Sequence, residues 1–157
     1  MVKIIKIIHI IVVTLLPIAE LRGGIPLAIA LGLNPFLAYT ICVVTNIAVV
    51  PIVYFFLENI HLFMISFPWY KKTFDRFLQR TRQKVEPKIK KWGYLGLALF
   101  VAVPLPVTGA YTATLGAWFF GMNKKISLVA IAFGVLISGI VVTLVTIGGM
   151  TMLKFFS

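Results

Sequence analysis

The amino-acid sequence predicts an all-α integral membrane protein built as two inverted repeats. Each repeat is a re-entrant helical hairpin plus one transmembrane helix, and a basic amphipathic cytoplasmic segment joins them. Three observations carry that expectation. The 157 residues are 61% apolar with a mean hydropathy of +1.04, beyond the composition of ordinary soluble domains. Glycine, proline and charge divide the apolar sequence into two stretches long enough to cross a bilayer and several that are too short. Residues also recur at an offset of 89 positions, pairing Pro17 with Pro106, Gly32 with Gly121 and Asn34 with Asn123. A single membrane domain over 1–157 follows, with one repeat at 4–58, a basic interfacial linker at 67–93 and the second repeat at 94–154.

The elements follow in order. A straight crossing needs ~20 apolar residues at a rise of ~1.5 Å each, so residues 7–19 suit a half-membrane excursion. Lys3 and Lys6 precede this run as in a signal peptide, but no small-residue cleavage site follows, and the segment is read as retained. Gly23, Gly24 and Pro26 are expected to break the chain, with a second short helix at 25–33 completing a hairpin whose tip carries Glu20 and Arg22. Asn34-Pro35 then forms a turn, because the residue before proline disfavours helix. Residues 36–57 make the first crossing, with Pro51 expected to kink it.

In the basic stretch 69–92, Phe74, Phe77, Leu78, Val85 and Ile89 recur at helical spacing, so an amphipathic interfacial helix is expected, anchored by Trp69, Tyr70 and Trp92 and divided by Pro87. A solvated charged connector fits the same residues. Residues 94–103 and 110–120 flank Pro104-Leu105-Pro106-Val107-Thr108-Gly109, a second hairpin with Pro104, Pro106 and Gly109 as its break. Asn123-Lys124-Lys125 turns the chain into the second crossing, 126–150, where Gly134, Gly139, Gly148 and Gly149 permit close helix contact.

Each half then crosses the membrane an odd number of times, so the halves are inverted relative to one another, an arrangement found in transporters. Of fifteen Lys and Arg, nine lie between Lys71 and Lys91, which places that loop on the cytoplasmic side of the cell membrane. Four plain spans, with both termini beside the basic loop, fit the charge distribution equally well.

The same charge clustering beside apolar spans reads as a topology signal and a contact for anionic membrane lipid, not for nucleic acid. Cys42 is the single cysteine, so neither an intramolecular disulfide nor a cysteine metal site is expected, and His61 beside Glu58 makes no metal site. No cofactor is implied. No G-x-S-x-G, P-loop, H-E-x-x-H or C-x-x-C motif occurs, and an enzyme is not expected.

Function is sought instead at Glu20 and Arg22, since charge at membrane depth is costly and marks functional positions. Burial favours a protonated Glu20 and the neighbouring arginine favours a carboxylate, so two opposed influences poise it for proton coupling. Arg22 offers a planar fork for an anionic group or headgroup, and Tyr111 stands at the matching position of the second repeat. Asn46, Thr108 and Thr112 are candidate path-lining residues, although the threonines equally serve to satisfy their own broken backbone. The bland alternative is an internal Glu20–Arg22 ion pair in a structural or assembly protein.

Pro17-x-x-Glu20-Leu21-Arg22-Gly23-Gly24-Ile25-Pro26, together with Pro104-Leu105-Pro106-Val107-Thr108-Gly109-Ala110, resembles the small multidrug export protein family over nearly the whole chain. The hairpin-plus-span halves are more distantly similar to the DedA superfamily, whose members are implicated in proton-dependent transport and in flipping lipid phosphates. That likeness implies a carboxylate on the first hairpin, which Glu20 matches, and arginines on the second, which this chain lacks. A small secondary transporter is thus expected, moving a lipophilic or anionic molecule or a lipid headgroup and acting as a homodimer or larger assembly.

Overall fold

The structure, a computed structural model, describes residues 2–64, 66–105 and 108–156. Its helices are α1 (Val2–Leu15), α2 (Glu20–Ala30), α3 (Pro35–Phe55), α4 (His61–Met64), α5 (Pro68–Ala102), α6 (Ala110–Phe119) and α7 (Lys124–Phe156), with a π-helical turn at Phe56–Ile60. No strand occurs among the described residues, so the all-α class holds. Two helices, Pro35–Ile60 and Lys124–Met152, are long and apolar enough to cross a membrane, and Ile4–Leu15 and Lys91–Ala102 are apolar but shorter.

Local chemistry explains the helix ends, and it repeats. Gly32 at φ +83° closes α2: its N–H donates to the Ile29 carbonyl, and the Leu33 N–H donates to the Ala28 carbonyl, each at 3.0 Å. Gly121 at φ +62° closes α6 with the equivalent bonds, to Trp118 at 3.1 Å and from Met122 to Ala117 at 2.9 Å. This is the left-handed C-terminal motif that glycine adopts without steric cost. Asn34 Oδ1 then accepts from the Phe36 N–H at 2.9 Å and opens α3, as Asn123 Oδ1 accepts from Lys125 at 3.0 Å and opens α7. Side-chain caps of this kind satisfy amides that a helix start leaves free.

Packing repeats as well. α1 and α2 pack on each other and on α3, as α5 and α6 pack on each other and on α7. The halves meet through α3 and α7, with α2 reaching α7 and α6 reaching α3. Exchanging α1, α2 and α3 for α5, α6 and α7 leaves this pattern unchanged. Gly134 seats α7 against Ala98 and Val101 of α5, and Gly139 seats it against Tyr39 and Val43 of α3. Gly148 and Gly149 meet nothing within 4 Å among the described residues.

Three sequence expectations are corrected. Gly23, Gly24 and Pro26 do not break the first helix pair; all three lie inside α2, and the chain turns earlier, over residues 16–19. Their small size serves packing, since a Cβ at Gly24 would overlap the Thr14 hydroxyl and lie 3.0 Å from Cys42 Sγ. Pro87 does not divide the basic helix; α5 runs through it, and the backbone departs from helical geometry at Gly93 (φ +54°, ψ −127°), a conformation that costs glycine little. Part of the apolar stripe of the basic helix packs against protein rather than being left free at an interface: Phe74, Leu78 and Ile89 are half-buried. Val85 is fully buried against Gly116 of α6, Thr81 is buried beside it, and the Arg82 guanidinium lies 5.6 Å from the Phe119 ring centroid. Gly116 opens the notch that makes this possible.

Candidate functional site

Residues 16–19 turn the chain between α1 and α2, and the Glu20 N–H donates to the Leu16 carbonyl at 3.0 Å. Glu20 itself sits at φ +44°, the one non-glycine among the described residues with positive φ. The left-handed region costs an L-residue roughly 1–2 kcal/mol, and such strain clusters at functional sites. Its effect here is directional: the carboxylate leaves the line of α2 and reaches the second helix pair.

There it meets the start of α6. Glu20 Oε1 accepts from the Tyr111 N–H at 3.5 Å, the Ala110 N–H faces the same carboxylate, and the Asn46 side chain of α3 joins them. Free amides and the positive end of the dipole make a helix N-terminus favourable for an anion. Gly109 makes the approach sterically possible, since a Cβ there would overlap the carboxyl group. Its φ of 173° is extended backbone open to any residue, so glycine stands at this position for room rather than for conformation. Position 109 lies 89 residues after position 20, the offset at which the helix caps recur.

Arg22, half-buried on the first turn of α2, donates through Nη2 to the Thr108 carbonyl and, at 3.0 Å, to the Thr108 hydroxyl. Eighty-nine positions further on, the Tyr111 hydroxyl donates to the Leu15 carbonyl at the end of α1. The two side chains thus reach in opposite directions, Arg22 to the segment before α6 and Tyr111 to the end of α1. Glu20 and Arg22 lie close enough to interact through charge, yet no direct ion pair joins them among the described residues. The internal pair considered from the sequence is replaced by two separate ties across the helix pairs.

The threonines act largely on their own backbone. Thr108 Oγ1 contacts the carbonyls of Val103 and Leu105 at 3.0 and 2.7 Å and accepts from the Leu105 N–H at 3.1 Å. Thr112 Oγ1 accepts from the Gly109 N–H at 3.1 Å. Pro104 lies in the irregular stretch after α5, as expected for a break, and Pro106 lies outside the described residues.

Two spaces adjoin these groups. A pocket of about 10 Å³, lined by Glu20, Arg22, Thr108, Thr112, Pro17 and Ile18, has room for about one water. Beside it lies an apolar cavity of about 520 Å³, walled by Ile52 and Val53 of α3, Phe56 and Leu57 of the π-helical turn, Tyr70 and Phe74 of the basic helix, and Tyr111 and Leu115 of α6. Pro17 lines both spaces.

The structure therefore brings together Glu20, Arg22, Asn46, Thr108, Gly109, Tyr111 and Thr112, and leaves Gly23, Gly24 and Pro26 to helix packing. Sequence reasoning missed Pro17 as a site residue and missed Tyr70 and Phe74 as cavity walls. Their spacing of four on one helix was the available signal, but it reads equally well as an interfacial anchor.

A family model described as "Putative small multi-drug export protein" matches residues 20–141, beginning at the strained glutamate and running from α2 into α7. No curated protein and no solved structure matches the chain.

Proposed function

The chain belongs to the small multi-drug export protein family and is a membrane protein, and from that premise we propose that it is a proton-coupled secondary transporter and not an enzyme. Glu20 carries the proton. The observation that supports this most is a buried glutamate, held in strained backbone, whose carboxylate is met by backbone amides and a neutral side chain in place of a locked ion pair. Arg22 keeps its bonds to Thr108 whether or not Glu20 is ionised, so protonation strands no partner.

The architecture we propose is a pair of inverted repeats, α1–α3 and a second half made of the end of α5 with α6 and α7. The short helix pairs enter the bilayer as re-entrant hairpins whose breaks meet at mid-depth. The recurring caps and the exchangeable packing pattern support the repeat. Short apolar helices unable to span by themselves support the re-entrant reading. The protein then lies in the cell membrane as a multi-pass protein with loop 71–91 cytoplasmic and in contact with membrane lipid.

The substrate is a small lipophilic molecule, anionic or carrying a lipid headgroup. Its apolar part suits the 520 Å³ cavity, and its polar end suits Arg22 and the pocket beyond Pro17. Two crossings enclose little space alone, so the working unit is a homodimer or larger homo-oligomer.

The test is flux of a panel of lipophilic ions driven by a pH gradient in proteoliposomes, with Glu20→Gln and Arg22→Ala as variants. Loss of coupling in the first and weakened substrate dependence in the second are expected; wild-type flux in both overturns the assignment. A second reading has its own observation, the two ties that latch the helix pairs across Thr108 and Tyr111. On that reading the protein is structural, the variants lose thermal stability or oligomer yield, and no flux exists to lose.

A further inference from the structure

Asn46 lies within α3 at 1% exposure, flanked along its buried face by Val43, Val49 and Val50. A buried amide in apolar surroundings is costly unless its polar atoms are used. One end faces a partner, because the side chain lies beside the Glu20 carboxylate. An ionised carboxylate only accepts, so Nδ2–H is the end presented to it. The other end does not: Asn46 Oδ1 is buried without a partner.

That orphan acceptor has a natural donor in only one chemical state of its neighbour. When Glu20 takes up a proton, its carboxyl becomes a donor, and the amides of Ala110 and Tyr111 cannot accept from it. The other groups around the carboxyl are Arg22 from α2, which is also only a donor, the Tyr111 hydroxyl from α6, which already bonds to Leu15, and across the small pocket the Thr108 and Thr112 hydroxyls, both engaged with backbone groups of their own segment. From α3 comes the amide of Asn46 alone. A half-turn about χ2 exchanges its two ends in the same space.

We infer that Asn46 is a positioning residue that follows the proton on Glu20, its Nδ2–H holding the carboxylate and its Oδ1, after a half-turn, holding the protonated carboxyl. One O–H bond forms on Glu20 as the proton arrives from water and breaks as it leaves, while the amide keeps both its hydrogens. Each protonation state is thereby tied to the first crossing, so the proton is registered in α3 and not only at the helix breaks. This inference rests on the proton-coupling reading of Glu20.

The experiment is an infrared difference titration of the full-length protein in detergent, comparing wild type, Glu20→Gln, Asn46→Leu and Asn46→Ser. In wild type a carboxyl band titrates and disappears in Glu20→Gln. In Asn46→Leu that band moves to the position of a carboxyl without a hydrogen-bond acceptor. Its midpoint shifts by less than about half a pH unit, because both protonation states lose a partner. Asn46→Ser, whose hydroxyl can donate or accept, keeps the hydrogen-bonded band; should the leucine variant fail to fold, Asn46→Ala gives the same reading. An unchanged band in Asn46→Leu overturns the inference, as does a midpoint raised by about one unit or more with the band in place, the signature of a fixed donor. If no band depends on Glu20 at all, the proton-coupling reading falls together with it.

Discussion

Replacing Gly109 by alanine adds a single methyl group, and the structure says where it goes: into the Glu20 carboxyl. At φ 173° the alanine backbone is unstrained, so the whole effect comes from the side-chain collision. Overpacking a fitted site costs about 1–3 kcal/mol. Driving the carboxylate from the start of α6 forfeits hydrogen bonds to a charged group, worth about 1.5–3 kcal/mol. Gly109→Ala is therefore expected to lower stability by about 3–5 kcal/mol, measured by thermal or denaturant unfolding in detergent. A double-mutant cycle isolates the cause. In a Glu20→Ala background the added methyl meets open space, and the same substitution costs at least about 1 kcal/mol less. A Gly109→Ala protein within about 0.5 kcal/mol of wild type, or strictly additive double-mutant stability, would refute the proposed contact.

Two further outcomes concern the basic helix. A side chain at Gly116 meets Val85 Cγ1 at 2.9 Å from its first carbon, so Gly116→Leu should lift this part of α5 from α6. Trypsin cleavage at Arg76, Arg80 and Arg82 should then rise about tenfold or more, and unchanged proteolysis contradicts the docked position. Nearer the start of α5, His61 is buried against Tyr70, Phe74 and Trp118, with Nδ1 3.0 Å from the Tyr70 hydroxyl. Burial pushes its pKa below the usual 6.5, and Asp75 opposes the shift. The unfolded or undocked chain binds the proton first, so the stability from this cluster is complete above about pH 6.5 and is lost as pH falls through the lowered folded-state pKa. Protease sensitivity of the basic helix should rise on acidification in wild type and stay flat in His61→Phe.

Much of this architecture was legible in the sequence because its signals are local. Gly32, Asn34, Gly121 and Asn123 are cap residues whose roles depend on their own φ angles and side-chain oxygens, so their recurrence at an offset of 89 marked the helix ends correctly. Glu20 and Arg22 were legible through the cost of burying charge. The first break was misplaced because Gly23, Gly24 and Pro26 carry strong turn propensity, and tertiary contacts override it: the glycines answer the crowding by Thr14, Cys42 and Val13. No propensity scale assigns a glutamate to φ +44°, so the true turn had no sequence signature. The partner of Glu20 was equally hidden. Gly109 is present for the volume it leaves empty, and that volume is defined by a residue 89 positions away.

In the proposed transporter, two short helix pairs enter the membrane from opposite sides and place Glu20 between them. The most direct test is sidedness, read from the labelling of single cysteines introduced at Arg76 and at Thr151 in a Cys42→Ala protein in sealed vesicles. Position 76 is expected to react from the cytoplasmic side and position 151 from the opposite side only. Both positions reacting from one side would mean four plain spans, and would contradict the inverted hairpins and the mid-membrane carboxyl with them.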